Sequence, residues 1–373
     1  MKPDNISDAV GQVDGDIVAS AQERRSSGER GYVKPWVRVV AIAVCCCIIF
    51  ISYWRNNRTE TGYAIAEAVY PKMAQYPDEG GMSGGAYDKW QVSRQAQLNQ
   101  PEGYADGIDG FFETSIRQFL SGAGDENRVY SPLNVFMALS MLAEVTDGNS
   151  RAQILDALGA SDIGELRTQT TAVWNANYCD DGAVTSILAN SLWLNRDLTF
   201  VNSTMETLAT TYYASSYSGK MGSEEFNQAL RDWINEQTGG LLEEQSSDLE
   251  LNPETVMALA GTIYYQAKWA EQFSKSDTES GTFYSPAGDI TCDFMHQSFS
   301  KGYCRSGNFT AVMQNLRNSG GMWLILPREG VSIDELIADD DVTDMILPQR
   351  EWANIEYPIV NLAMPKFDIV SDI

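Results

Sequence analysis

The chain has 373 residues, long enough for one large domain with appended segments, and 43% of them are apolar. Its 26 Lys and Arg face 51 Asp and Glu, and because residues 1–54 carry six of each sign, the net charge of −25 falls wholly beyond residue 54. So negative a body repels phosphate backbones and anionic headgroups, which excludes nucleic acid as an expected partner.

Asp4 to Ala21 has the period of a short amphipathic helix, with Ile6, Val10, Val13 and Ile17 on one face. A polar stretch carrying Arg24, Arg25, Arg30 and Lys34 follows. Trp36 to Trp54 then runs for 19 residues with Arg38 as its one charge. As a helix it is about 28 Å long, the thickness of a hydrocarbon core. Trp36 at one end and Tyr53 and Trp54 at the other suit the two interfaces. Basic residues crowd the N-terminal side, so residues 1–35 are expected in the cytoplasm and everything after Arg55 outside it. A cleaved signal peptide is the competing reading. Its n-region would be unusually long, and no small-x-small site follows the apolar run. Residues 55–107, with Gly80 to Gly85 rich in glycine, have the composition of a flexible tether.

From residue 108 the pattern is that of a folded domain, 108–373. Phe112, Ile116, Phe119 and Leu120 mark a helical face. Ser131-Pro132 opens a second helix, with serine as N-cap and proline at the first position. Its body, Leu133 to Ala143, is apolar nearly all round and must be buried on every side. Ile154, Leu155 and Leu158 form another face, stopped by Gly159. Val184 to Leu194 is expected as a strand. Phe226, Leu230, Trp233 and Ile234 give a helix that ends at Gly239-Gly240. Val256 to Tyr265 is expected as a strand covered on both faces. Thr310 to Leu316 and Met322 to Leu326 flank the turn Asn318-Ser319-Gly320-Gly321. Ile355 to Val370 is extended. Helices come mostly first and long strands later, which indicates an α+β fold.

The chemistry-bearing residues are few. His296 is the single histidine, so no two-histidine metal site exists and no catalytic triad sequence accompanies it. Cys45, Cys46 and Cys47 sit in the apolar run, while Cys179, Cys292 and Cys304 are isolated and make no metal pattern. A Cys292–Cys304 bridge is possible without being indicated. Asp339, Asp340, Asp341 and Asp344 lack the alternate spacing and glycine of a Ca²⁺ loop and fit a solvated helix end. No cofactor, no metal and no enzymatic activity are expected.

Four segments in order resemble the serpins, a family of serine protease inhibitors. They are Asn127 to Pro132 with the buried helix; Ala189 to Leu194 with Ile234-Asn235 and Thr238 to Leu242; Ala258 to Trp269 with Phe273, Phe283 and Phe294-Met295; and Met322 to Pro327 with Leu362 to Phe367. The resemblance covers about 265 residues and is nearest to a bacterial-type, membrane-anchored member. It implies helices packed on large, mostly antiparallel sheets. It also implies a mechanical reaction in which a cleaved loop inserts into the main sheet and carries the acylated protease with it. Ser131 and Asn134 match the region called the shutter, and Trp269 matches the breach. The family often has serine where Asn134 stands, and a shutter asparagine is replaced by Gly261.

No hinge of the Glu-x-Gly type followed by small residues occurs in the 373 residues. The expectation is a serpin domain truncated before its reactive-centre loop, a fragment that neither folds robustly nor inhibits, from a parent that inhibits a serine protease. The rival expectation is a non-inhibitory, membrane-tethered extracytoplasmic binding module. A monomer is expected in either case.

Overall fold

The computed structural model describes residues 62–77, 85–285, 287–300, 302–346 and 355–371. The amphipathic helix, the span at 36–54, Cys45 to Cys47 and the glycines at 80–84 lie outside the described residues. No helix among the described residues is long and apolar enough to cross a membrane. Contacts group residues 61–373 into one unit.

In chain order the helices are α1 (Ala86–Leu98), α2 (Ile108–Leu120), α3 (Pro132–Val145), α4 (Gly148–Leu158), α5 (Ile163–Asn177), α6 (Asn202–Thr211), α7 (Glu224–Gln237), α8 (Glu243–Ser246), α9 (Ile333–Ile337) and α10 (Asp340–Ile346). The strands are β1 (Ala64–Ala66), β2 (Cys179–Asp180), β3 (Thr185–Asn195), β4 (Ala214–Gly219), β5 (Met257–Gln266), β6 (Thr278–Ser285), β7 (Gly288–Ser300), β8 (Tyr303–Arg305), β9 (Phe309–Asn315), β10 (Gly321–Pro327), β11 (Ile355–Glu356) and β12 (Ile359–Pro365). They form three sheets. The largest runs β1-β4-β3, with β2 and β5 also on β3; the others run β10-β9-β8-β11 and β12-β7-β6. Among the described residues only β3 and β4 are parallel, and the other pairs are antiparallel.

Local chemistry sets the helix ends. The Ser131 hydroxyl accepts from the Asn134 amide at 3.3 Å with Pro132 in the first turn, so α3 starts where the Ser-Pro signal places it. Asp162 Oδ1 accepts from the amides of Gly164 and Glu165 at the start of α5. Gly159 ends α4 at φ 72, and Gly107 stands against it at φ 84. A Cβ at Gly159 would lie 2.6 Å from the Gly107 carbonyl oxygen, so both backbones need glycine here.

Helix α3 runs beneath the large sheet and none of its residues is exposed, as its all-round apolarity requires. Phe136 and Met137 pack with Leu166, Trp174 and Leu188, while Met141 packs with Leu192, Leu208 and Tyr212. The expected elements at α2, α3, α4, α7, β3 and the β9–β10 hairpin are present. Two expectations differ. Strand β5 is mostly half-buried rather than covered on both faces, and Tyr265 is exposed. Parts of the expected tether 55–107 are ordered instead: β1 joins the large sheet, α1 carries the buried Trp90, and Tyr70 and Met73 join the core. Aromatic side chains explain this, because each buries far more apolar area than the surrounding polar composition suggests.

A buried carboxylate ties three helices together. Arg167 grips Glu144 at the end of α3 with two hydrogen bonds, 2.7 and 2.8 Å, and the Tyr212 hydroxyl donates to Glu144 Oε2 at 2.9 Å. Burial alone would push the Glu144 carboxyl up. Arg167 and Tyr212 outweigh it and hold the group below the usual glutamate value. A depressed carboxylate stabilises the fold above its unfolded pKa and loses that contribution as pH falls through its folded value. Arg167 is 42% exposed, which screens the pair and keeps the gain modest. We expect Glu144→Gln to lower stability by about 1–2 kcal/mol near neutral pH. The gap to wild type should close below about pH 4.3. Urea denaturation at both pH values checks this, and a gap of constant size would refute it.

Candidate functional site

The sequence-predicted residues sit along the large sheet and the helix beneath it. Strand β5 lies against β3 over its whole length, from Met257 opposite Leu194 to Gln266 opposite Thr185. Its other edge pairs with no strand among the described residues. Helix α3 packs against β5 from below, which brings Ser131 and Asn134, at its start, into the neighbourhood of the same sheet. Ser131 and Asn134 contact each other through the cap already described.

Gly261 lies at the middle of β5, directly opposite Asn190 of β3. Asn190 is fully buried, and its Nδ2 donates to the Tyr212 carbonyl at 3.1 Å, where α6 hands over to β4. Its Oδ1 occupies the space a Cβ on Gly261 would need, 3.3 Å away. The amide beside Gly261 therefore comes from Asn190 on the neighbouring strand. Sequence reasoning quoted Asn190 within a motif and missed this. The available signal was a polar amide in an otherwise apolar run, Leu188 to Leu194, since a buried amide has to find partners. The neighbouring Ser191 hydroxyl donates to the Ala260 carbonyl at 3.3 Å and accepts from the Trp193 indole at 2.9 Å.

Trp269 lies just past β5 and is half-buried. It bridges to Leu316 at the end of β9, and the flanking residues clamp the same point. Ala270 N donates to the Asn315 carbonyl at 2.9 Å and Arg317 N to the Lys268 carbonyl at 2.7 Å. Its ring meets Phe273 edge-on at 5.7 Å. Trp269 thus closes the seam between the large sheet and the β9–β10 hairpin.

The other singled-out residues lie elsewhere. His296 is exposed on β7, opposite Ala363. Cys179, Cys292 and Cys304 are free thiols, and burial pushes Cys179 up to about 12, so it is inert as a nucleophile. The aspartates at the start of α10 tie down neighbouring loops: Asp339 accepts from Asn308, Asp341 from Ser306, and Asp340 from Arg117.

The Asn190 and Ser191 side chains are thus spent on positioning. We expect Asn190→Ala to cost about 1–3 kcal/mol, because it leaves the Tyr212 carbonyl without its donor and opens a void beside Gly261. Gly261→Ala should cost less, since the Asn190 amide need give only a few tenths of an ångström. Thermal denaturation of both variants checks the order, and a reversed order would show that Gly261, not Asn190, sets the geometry.

Three comparisons with known proteins agree. The sequence model of the family described as Serpin (serine protease inhibitor) matches residues 111–373. Serpin-ZX of Arabidopsis thaliana is 26% identical over 260 residues, covering 65% of this chain and 65% of its own length. Corticosteroid-binding globulin of Oryctolagus cuniculus is 26% identical over 279 residues, covering 72% of this chain and 71% of its own. Among solved structures, the thermophilic serpin tengpin in its latent state superposes with a TM-score of 0.62 at 20% identity, over 72% of each chain. Loop-cleaved human thyroxine-binding globulin does so with 0.61 at 21% identity, over 70% of this chain and 78% of its own. The chain spans less than two thirds of the length of the first curated relatives it matches. With the family pattern matched over most of its length and the fold shared with solved members, the chain belongs to the serpin family.

Proposed function

We propose that this chain supplies the body of a serpin that traps a serine protease by accepting a cleaved loop as a new strand, tethered outside the cytoplasm by residues 36–54. The observation that supports the trap is β5, held by β3 along its whole length and with its other edge unpaired among the described residues. A row of free N–H and C=O groups is a template for another strand. In this reading Ser131, Asn134 and Gly261 form the shutter, with Asn190 supplying its amide, and Trp269 forms the breach. No Glu-x-Gly in the 373 residues runs directly into a stretch of alanines or other small residues, so trapping is assigned to a polypeptide that carries such a hinge. The body works alone, as a monomer, and breaks no bond by its own chemistry.

A second reading, a binding module without inhibition, has one observation in its favour. A cavity of about 510 Å³ is lined by apolar residues such as Leu98, Leu133, Leu188 and Ile263 and by polar ones such as Arg94 and Asn177. One relative bears the name of a corticosteroid-binding protein. This reading would place a small apolar ligand there.

A peptide of alternating threonine and alanine, matched to the ten residues of β5, separates the two. Under the trap reading it pairs with the free edge and raises the melting temperature of the full chain, by about 2–4 °C for each kcal/mol of binding. The chain extended by a hinge and loop should also form a detergent-stable complex with a serine protease. No thermal shift and no complex would refute the trap. The tether has its own check. On intact cells an epitope at Gly84 should be digested by added protease and one at residue 3 protected, and the opposite pattern would reverse the orientation.

A further inference from the structure

The chain enters the large sheet at its foot, where several strands begin or finish together. Ser218 N donates to the Tyr63 carbonyl at 2.8 Å, and Ala64 stands opposite Tyr217 near the finish of β4. Gly219 stands opposite Asn195, the last residue of β3. Asn195 N in turn donates to the Val256 carbonyl at 3.0 Å, just before β5 begins. Trp269 stands at the head of the sheet, past the pairing of Gln266 with Thr185. From Met257 at the foot to Gln266 at the head, β5 rises about 30 Å.

Side chains fix this point of entry. The Tyr63 ring packs edge-on against Phe226 at 5.2 Å, the Tyr70 ring stacks on Trp174 at 5.7 Å, and the Trp90 indole donates at 2.8 Å to the buried Asp181 carboxylate. Residues 62–77 therefore belong to the domain and lend no length to a leash. Eight peptide bonds join Trp54 to Gly62. At a reach of about 3.6 Å each they extend to about 30 Å at most, whatever their conformation. With 36–54 as a membrane span, the foot cannot leave the bilayer surface by more than that.

The chemistry of the foot suits such a surface. In the loop that follows β3, Leu198 and Phe200 are exposed and Val201 is 63% exposed; Val256, bonded to the same Asn195, is 60% exposed. Arg196, Asp197, Lys220 and Glu254 flank these apolar tips and are all exposed. Their charges balance, in a chain whose net charge is −25. A negative body held close to anionic headgroups turns toward them a part that lacks the negative excess. Exposed Phe, Leu and Val beside Arg and Lys can then enter the interface. The short leash supplies a high effective concentration, so a weak contact suffices.

We propose that the foot of the large sheet rests on the phospholipid surface, with Leu198, Phe200, Val201 and Val256 in the interface, so that Trp269 at the head faces away from the membrane. This contact rests on the reading of 36–54 as a span and not on protease trapping. The test uses the full chain in phosphatidylcholine vesicles doped with a phosphatidylcholine whose headgroup carries a diazirine. After illumination, label mapped by mass spectrometry should be about fivefold or more denser on residues 195–201 and 253–257 than on 265–273 and 315–320. Val201→Asp combined with Val256→Asp should weaken that footprint by about threefold or more, because a carboxylate resists leaving water. Where the double variant does not fold, Val201→Asp alone should act in the same direction by a smaller factor. Retention after an alkaline carbonate wash reports the span separately. A chain washed off refutes the span, and the contact falls with it. A retained chain overturns the contact alone if label is even, gathers around Trp269, or spares the foot because a second copy covers it. A footprint that neither variant weakens does the same.

Discussion

Burial of β3 is the constraint on which the rest depends. Eight of its eleven residues are buried, all of Ser186 to Leu194 except Ile187. A strand so enclosed must satisfy its backbone on both sides, and it does, with β4 on one edge and β5 on the other. Its two faces then dictate which helices lie where. Leu188 and Leu192 point into the clusters built by α3, α5 and α6, while Ala189 and Trp193 point into that of α7. Even the Trp174 indole of α5 is spent on it, donating to the Leu188 carbonyl at 3.0 Å. Shift β3 by one residue and both layers lose their partners at once.

The polar groups enclosed by this arrangement work as joints. Asn190 links β3 to the turn between α6 and β4. Glu144 links α3 to α5 and to Tyr212, two residues before the start of β4. Burial raises the Tyr212 hydroxyl well above its ordinary pKa, with the adjacent Glu144 charge adding to it, so it stays a donor across the physiological range. Each joint is a buried group whose loss would strand its partner, which makes the packing specific as well as tight.

The two ends of the large sheet are treated differently. One end carries a covering segment anchored by tyrosine and tryptophan. The other presents β5, half-buried, backed by α3 and bounded by Gly261 in the middle and Trp269 at the end. The strongly acidic composition makes such bodies repel one another as they approach.

Much of this was legible in the sequence. The Ser131-Pro132 cap, the all-round apolarity of α3, the stop at Gly159 and the Asn318 to Gly321 turn each carry local signals, because caps and turns are decided by residues within one turn of each other. The family pattern was legible for the same reason, in short motifs around those points. What the sequence could not decide was which groups meet across the fold. The amide beside Gly261 belongs to Asn190, more than seventy positions earlier, and only strand register places it there. Residues 62–98 read as a tether because their aromatic side chains are scattered through polar sequence. Their partners, Phe226, Trp174 and Asp181, lie far along the chain, and tertiary packing alone converts that polar stretch into the cover of a sheet edge.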